Sequence, residues 1–209
     1  MENSKGVVIP KPGKPDYSQV RAYWVISLLD VVSKLVEWTA AHLIAGHLEC
    51  KRRLHDRQFS CHKRWSCVDA LAVLMNSTQQ AWNKKQVAGA LFMDVKSAFN
   101  NVIKSHLGRR MEALGIQLDL IWWMASFMSD RQVKLVLDGK TGEASPVDTG
   151  IPQELPAAPV LFTTYLLGIF DRVETAIPGV QGLSLVDDIS WWEEGADTGK
   201  VAAKLTVAA

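Results

Sequence analysis

Residues 182–192 read G-L-S-L-V-D-D-I-S-W-W, an alternating apolar run interrupted by two adjacent acids. Leu183, Leu185 and Val186 lead in and Ile189, Trp191 and Trp192 lead out, so the pattern predicts strand, tight turn, strand, with Asp187 and Asp188 at the bend. Two carboxylates about 4 Å apart repel by roughly 4 kcal/mol at an effective dielectric of 20. An acid pair in apolar surroundings therefore calls for a cation or for full solvation. Taken alone, the pair reads as a solvated hairpin turn; the grounds for more lie upstream.

Residues 88–95, A-G-A-L-F-M-D-V, form a short apolar run that ends near a lone acid, Asp94. This predicts a central, buried strand with a carboxylate at its C-terminal end. A buried, unpaired carboxylate is costly, so an acid there asks for a metal or a hydrogen-bond donor. Residues 97–114 look helical up to Gly115, and residues 118–128 are apolar nearly all round, which predicts a buried helix. Val133, Leu135 and Leu137 alternate with other residues up to Asp138-Gly139, a hairpin signal, with a return strand towards Val147. Residues 148–153, D-T-G-I-P-Q, make a turn, and residues 156–173 read as one helix with its prolines in the first turn. A glycine-bearing turn that feeds a helix N-terminus is a candidate anion site. A further helix begins after Ala196.

The first half of the chain is predicted to be more helical. Residues 5–20 combine prolines with lysines and read as an extended basic arm or loop. A helix runs from Asp30 to about Leu48, with Asp30 or Ser27 as its cap and Val32, Leu35, Val36, Thr39, Leu43 and Ile44 recurring at helical spacing. Residues 51–66 are rich in Lys, Arg and His, and form either a basic patch or a solvated loop. A second amphipathic helix follows, with Val68, Leu71, Leu74, Met75, Thr78 and Trp82 on one face. Helices and hairpins are mixed without regular βαβ alternation, and no glycine-rich phosphate-loop motif is present, which favours an α+β fold.

At 209 residues, 48% hydrophobic and 22% charged, the composition is that of an ordinary soluble globular protein. The 23 Lys+Arg against 22 Asp+Glu give no overall electrostatic case for nucleic acid, so any basic surface must be local. The polar N-terminus has no signal-peptide core, and the apolar run around residues 160–170 is too short to span a bilayer; a soluble, unsecreted protein is expected. Cys50, Cys61 and Cys67, interleaved with His47, His55 and His62, match no closed tetrahedral zinc motif and fit a reducing compartment. Trp122-Trp123 and Trp191-Trp192 sit among apolar neighbours and read as core or as an uncovered interface.

An acid that ends a strand (Asp94), a Gly-Ile-Pro-Gln turn before a helix (residues 150–153) and an acid pair on a hairpin (187 and 188), in that order, resemble the palm of reverse transcriptases. The detail is most similar to non-LTR retrotransposon enzymes of the fungal kind. L-F-M-D-V-K-S-A-F at 91–99 resembles their first catalytic motif, T-G-I-P-Q at 149–153 the substrate-positioning motif, and L-V-D-D at 185–188 the second catalytic motif. K-P-G-K-P-D-Y-S at 11–18, Y-W-V-I-S-L-L at 23–29 and Q-F-S-C-H-K-R-W-S at 58–66 resemble finger motifs. The resemblance implies a right-hand polymerase, with a fingers-like segment over residues 1–87 and an incomplete palm-like segment over residues 88–209. It implies RNA-directed DNA synthesis by two metal ions, Mg²⁺ or alternatively Mn²⁺, on an RNA template, a DNA primer and a dNTP. Asp94, Asp187 and Asp188 would be the metal ligands. Phe99 would pack against the sugar and exclude a 2′-hydroxyl, and Gly150 and Gln153 would help to place the template and the incoming nucleotide.

The departures from that pattern bear on activity. Glu154 stands where a glycine usually follows the Pro-Gln. A carboxylate about 5 Å from a phosphate charge costs on the order of 3 kcal/mol per unit charge at a dielectric of 20. Trp24 replaces a phosphate-binding arginine, Asn100 an acid, and Ser60 and His62 a glycine and a basic residue. The chain ends soon after the acid pair, and the expectation is an impaired or inactive fragment without thumb or endonuclease. The alternative is a non-catalytic remnant that binds nucleic acid through residues 51–66 and 5–21.

Overall fold

The computed structural model describes residues 4–28, 30–152 and 155–209. Strands β1 (Ser4–Pro10) and β2 (Tyr23–Leu28) precede helices α1 (Val31–Cys50) and α2 (Cys67–Asn83). Strand β3 (Val87–Asp94) is followed by α3 (Lys104–Ala113) and α4 (Leu118–Phe127), then by the hairpin of β4 (Arg131–Leu137) and β5 (Lys140–Val147). Helices α5 (Ala158–Leu166) and α6 (Ile169–Ala176) lead to the hairpin of β6 (Gln181–Leu185) and β7 (Asp188–Gly195), and α7 (Thr198–Ala208) comes last. The mixed α+β architecture is the expected one. The chain forms two compact units, each built from two separate stretches: residues 1–44 with 99–161, and residues 45–98 with 162–209.

The first unit carries a sheet of order β2-β1-β4-β5. The basic arm is not all loop: Val7, Val8 and Ile9 supply β-branched residues, and β1 pairs antiparallel with β2 and parallel with β4. Gly6 belongs at this crossing, because a Cβ there would lie 2.9 Å from side-chain carbons of both Val25 and Val133. The β4–β5 turn matches its sequence signal, with Asp138 and Gly139 both at positive φ, 50° and 76°. Asp30 caps α1, its Oδ1 accepting the Ser33 N–H at 2.8 Å. Helices α3 and α4 pack together and bury Leu107, Met111, Ile121 and Met124. Helix α4 is nevertheless not buried all round, since Leu118 and Trp122 are exposed.

The second unit carries a sheet of order β3-β7-β6. The central strand is β7, so β3 lies at an edge, which corrects the central, buried position expected for residues 88–95. Phe92 is 68% exposed. Alternation along β7 sends Trp191 and Trp192 to opposite faces, both fully buried. Trp191 joins Phe170, Val180, Ile189, Val201 and Leu205 under α6 and α7. Trp192 joins Phe59, Ala70 and Leu183 beside α2. The tryptophan pair is thus core and not an uncovered surface.

Two helix expectations are corrected in detail. The segment 156–173 is broken, because Gly168 adopts φ 83° and separates α5 from α6. In α1 and α2 the extents match, but only part of each expected face packs: Ile44 is buried and Leu74 half-buried, whereas Leu35, Leu71, Met75 and Trp82 are exposed and Ala40, Ala41, Ala70 and Ala81 are buried beside them.

Candidate active site

The acid hairpin is built by pairing. The last pair between β6 and β7 is Leu185 with Asp188, so the turn consists of Val186 and Asp187 alone. On its other side β7 pairs with β3 so that Asp94 faces Asp188 directly. Cross-strand partners on one face stand with Cβ atoms about 5 Å apart, which places two carboxylates side by side at the open end of the sheet, next to a third in the turn. Asp94 and Asp188 are exposed and Asp187 is half-buried. Asp94 was expected to be buried; its place on an edge strand keeps it solvated. Among the described residues, no three His, Cys, Asp or Glu side chains close up into a ready-made metal cluster. The donors are carboxylate oxygens only, and that set suits a hard cation such as Mg²⁺ or Mn²⁺.

Val186 holds φ 58°. For a β-branched residue this is an outlier, at a cost of order 1–3 kcal/mol, and it persists only where the surroundings over-determine it. The surroundings here are residues 57–60. The Ser184 N–H donates to the Arg57 carbonyl and the Phe59 N–H to the Ser184 carbonyl, both at 2.9 Å, and the Val186 N–H donates to the Ser60 hydroxyl at 2.5 Å. Part of the Lys, Arg and His-rich segment therefore docks along β6 as a short extra strand, with Gln58 and Phe59 buried. Its charges are partly neutralised: His55 and Arg57 lie 3.6 and 3.5 Å from Glu174, and His62 lies 3.9 Å from Glu49. Arg52, Arg53, His55 and Arg57, together with Glu49, Asp56, Asp171 and Glu174, line an open polar cleft of about 730 Å³. Burial pushes the Cys61 thiol up to about 11, so it carries no thiolate at neutral pH.

The Gly150 turn is built in the first unit. Gly150 has φ 77°, and a Cβ there would lie 2.6 Å from the Asn100 Cα, so the position accepts only glycine. The Gly150 N–H donates to the Val102 carbonyl at 3.2 Å and the Ile151 N–H to the Phe99 carbonyl at 2.7 Å. Arg131 donates through one guanidinium nitrogen to the Thr149 and Gly150 carbonyls at 2.7 and 2.6 Å. Burial lowers the pKa of this guanidinium from its ordinary value, and Asp148 acts in the opposite sense. The half-buried Phe99 and the Gly150 turn therefore form one hydrogen-bonded piece. Gln153 and Glu154 lie outside the described residues.

Trp24 is exposed on β2, with the Lys11 ammonium 5.9 Å from its ring centre, within cation–π range. Sequence reasoning missed Arg131, for which no local signal exists. It noted Ser60 only as a departure, although a hydroxyl in place of glycine was a usable hint of a new hydrogen bond. Asp94, Asp187 and Asp188 belong to one compact unit, and Phe99 and Gly150 to the other.

Residues 9–204 match the family model described as reverse transcriptase (RNA-dependent DNA polymerase). The chain is 28% identical over 159 residues to a probable RNA-directed DNA polymerase from transposon BS of Drosophila melanogaster, covering 76% of this chain and 17% of that protein. It is 26% identical over the same length, with the same coverage, to the RNA-directed DNA polymerase from mobile element jockey of Drosophila funebris. It thus spans about a sixth of the length of these relatives. In fold it is similar to apo telomerase from Candida tropicalis truncated from its C-terminal domain, with a TM-score of 0.64, 14% identity, and coverage of 99% of this chain and 46% of the other. The chain belongs to the reverse transcriptase (RNA-dependent DNA polymerase) family.

Proposed function

We propose that the chain performs RNA-templated DNA synthesis, with Asp94, Asp187 and Asp188 as the ligands of two Mg²⁺ ions, Mn²⁺ being an alternative. The observation that carries this reading is the register: Asp94 faces Asp188 across the β3–β7 ladder, beside a two-residue turn that bears Asp187. Divalent ions held there would lower the pKa of a primer 3′-hydroxyl and neutralise the triphosphate. The chain's own residues do the rest. The three carboxylates hold the ions at the open end of the sheet. Phe99 packs against the sugar of the dNTP and excludes a 2′-hydroxyl. Gly150 belongs to the substrate-binding turn, and Gln153 helps to place the template and the incoming nucleotide. Residues 1–87 act as fingers and residues 88–209 as palm. The finer detail of the motifs supports a copy of the fungal kind.

Glu154 and Trp24 weaken nucleotide binding, the first by repulsion and the second because an indole makes no bidentate phosphate contact. The copy is therefore impaired. Primer extension on an RNA template with Mg²⁺ or Mn²⁺ tests the proposal. Weak incorporation is expected, lost in Asp187→Asn and raised by Glu154→Gly combined with Trp24→Arg. Salt-sensitive binding of RNA with no incorporation in any variant would instead identify a non-catalytic nucleic-acid-binding remnant.

A further inference from the structure

We propose that Ser60 is a positioning residue for the acid hairpin: by accepting the Val186 N–H, its hydroxyl holds the Val186-Asp187 turn and keeps Asp187 beside Asp94 and Asp188. Residues 57–59 make a parallel ladder with β6. In a parallel ladder the next donor after Ser184 is Val186, and its regular acceptor would be the Phe59 carbonyl. The docked segment supplies the Ser60 hydroxyl instead, at 2.5 Å. A side chain thus completes a ladder position at the one residue of the hairpin whose backbone is strained, Val186 at φ 58°. Glycine at position 60 would leave that N–H without this acceptor. Because Asp187 follows Val186 directly, freedom at Val186 becomes freedom of the Asp187 carboxylate.

The consequence for metal rests on the proposed role of the hairpin, but the positioning itself does not. The test therefore has two readouts on the full chain. Amide hydrogen exchange without metal is expected to be faster at Val186 and Asp187 in Ser60→Ala, unchanged at Trp191 and Trp192, and restored in Ser60→Thr, which keeps a hydroxyl. Titration with Mn²⁺ is expected to give about tenfold weaker binding in Ser60→Ala, as for other residues that orient a ligand, and near wild-type binding in Ser60→Thr. A general loss of stability would instead speed exchange throughout β7 and leave the affinity of the folded fraction unchanged, which overturns the proposal. Unchanged exchange at Val186 in Ser60→Ala overturns it whatever the metal affinity does. Wild-type chain that binds no Mn²⁺, with exchange as expected, keeps the positioning role and removes the metal reading of the hairpin.

Discussion

At the scale of single residues, Glu37 on α1 is the clearest strain on stability. It is 2% exposed, and among the described residues neither carboxylate oxygen has a hydrogen-bond partner of normal geometry. Burial raises its pKa from 4.5 to about 7, with the Ala157 backbone and Lys34 offsetting only part. The folded chain thus keeps this proton where the unfolded chain has released it. The contribution of this group to stability is fully present below about pH 4.5 and is lost as pH rises to about 7, by about 3 kcal/mol, and Glu37→Gln should flatten that part of a pH series of urea midpoints. Gly182 gives a second test: a Cβ there would lie 2.1 Å from Phe170 and 2.4 Å from Trp191, so Gly182→Ala should cost about 1–3 kcal/mol of unfolding free energy. The acids at 94, 187 and 188 were legible because carboxylates stand out in apolar strands. Arg131 and Ser60 were not, because a side chain that serves a backbone group distant in sequence leaves no periodic trace.

Among the elements, hairpins were read more accurately than helix faces. Both β4–β5 and β6–β7 announce themselves through alternation and turn residues, signals local to the hairpin. In α1 and α2 the spacing of large apolar side chains misplaced the packed face, because small alanines, which allow close approach, are buried together with only some of the large ones, Ile44 and Leu48 among them. The edge position of β3 was also hidden, since a short apolar run does not reveal how many neighbours a strand has. The Gly150 turn yields a prediction at this scale. Gly150→Ala would set a Cβ against the Asn100 backbone at a positive φ, so the turn must leave the Phe99 carbonyl and the Arg131 guanidinium together. Nucleotide affinity should fall at least tenfold, measured by titration of a dNTP against chain with primer and template.

For the molecule as a whole, the net charge of +1 means that nucleic-acid affinity must come from local clusters. The cleft lined by Arg52 and Arg53 is one such cluster in the second unit, with Glu49, Asp56, Asp171 and Glu174 also in its lining. Replacing either arginine with alanine should weaken RNA binding uniformly across sequences and reduce the slope of log affinity against log salt by about 1. The family was legible from motif order along the chain, whereas the interleaved compact units were not, because nothing local marks where the chain passes between them. The β3–β7 register and the Val186-Asp187 turn together are expected to make a divalent-metal site. Titration of the wild-type chain, Asp94→Asn and Asp187→Asn with Mn²⁺, followed by the loss of the free-ion paramagnetic resonance signal, tests it most directly. Binding by the wild type should be weakened at least tenfold in both variants; equal uptake by all three chains would mean that these carboxylates hold no metal.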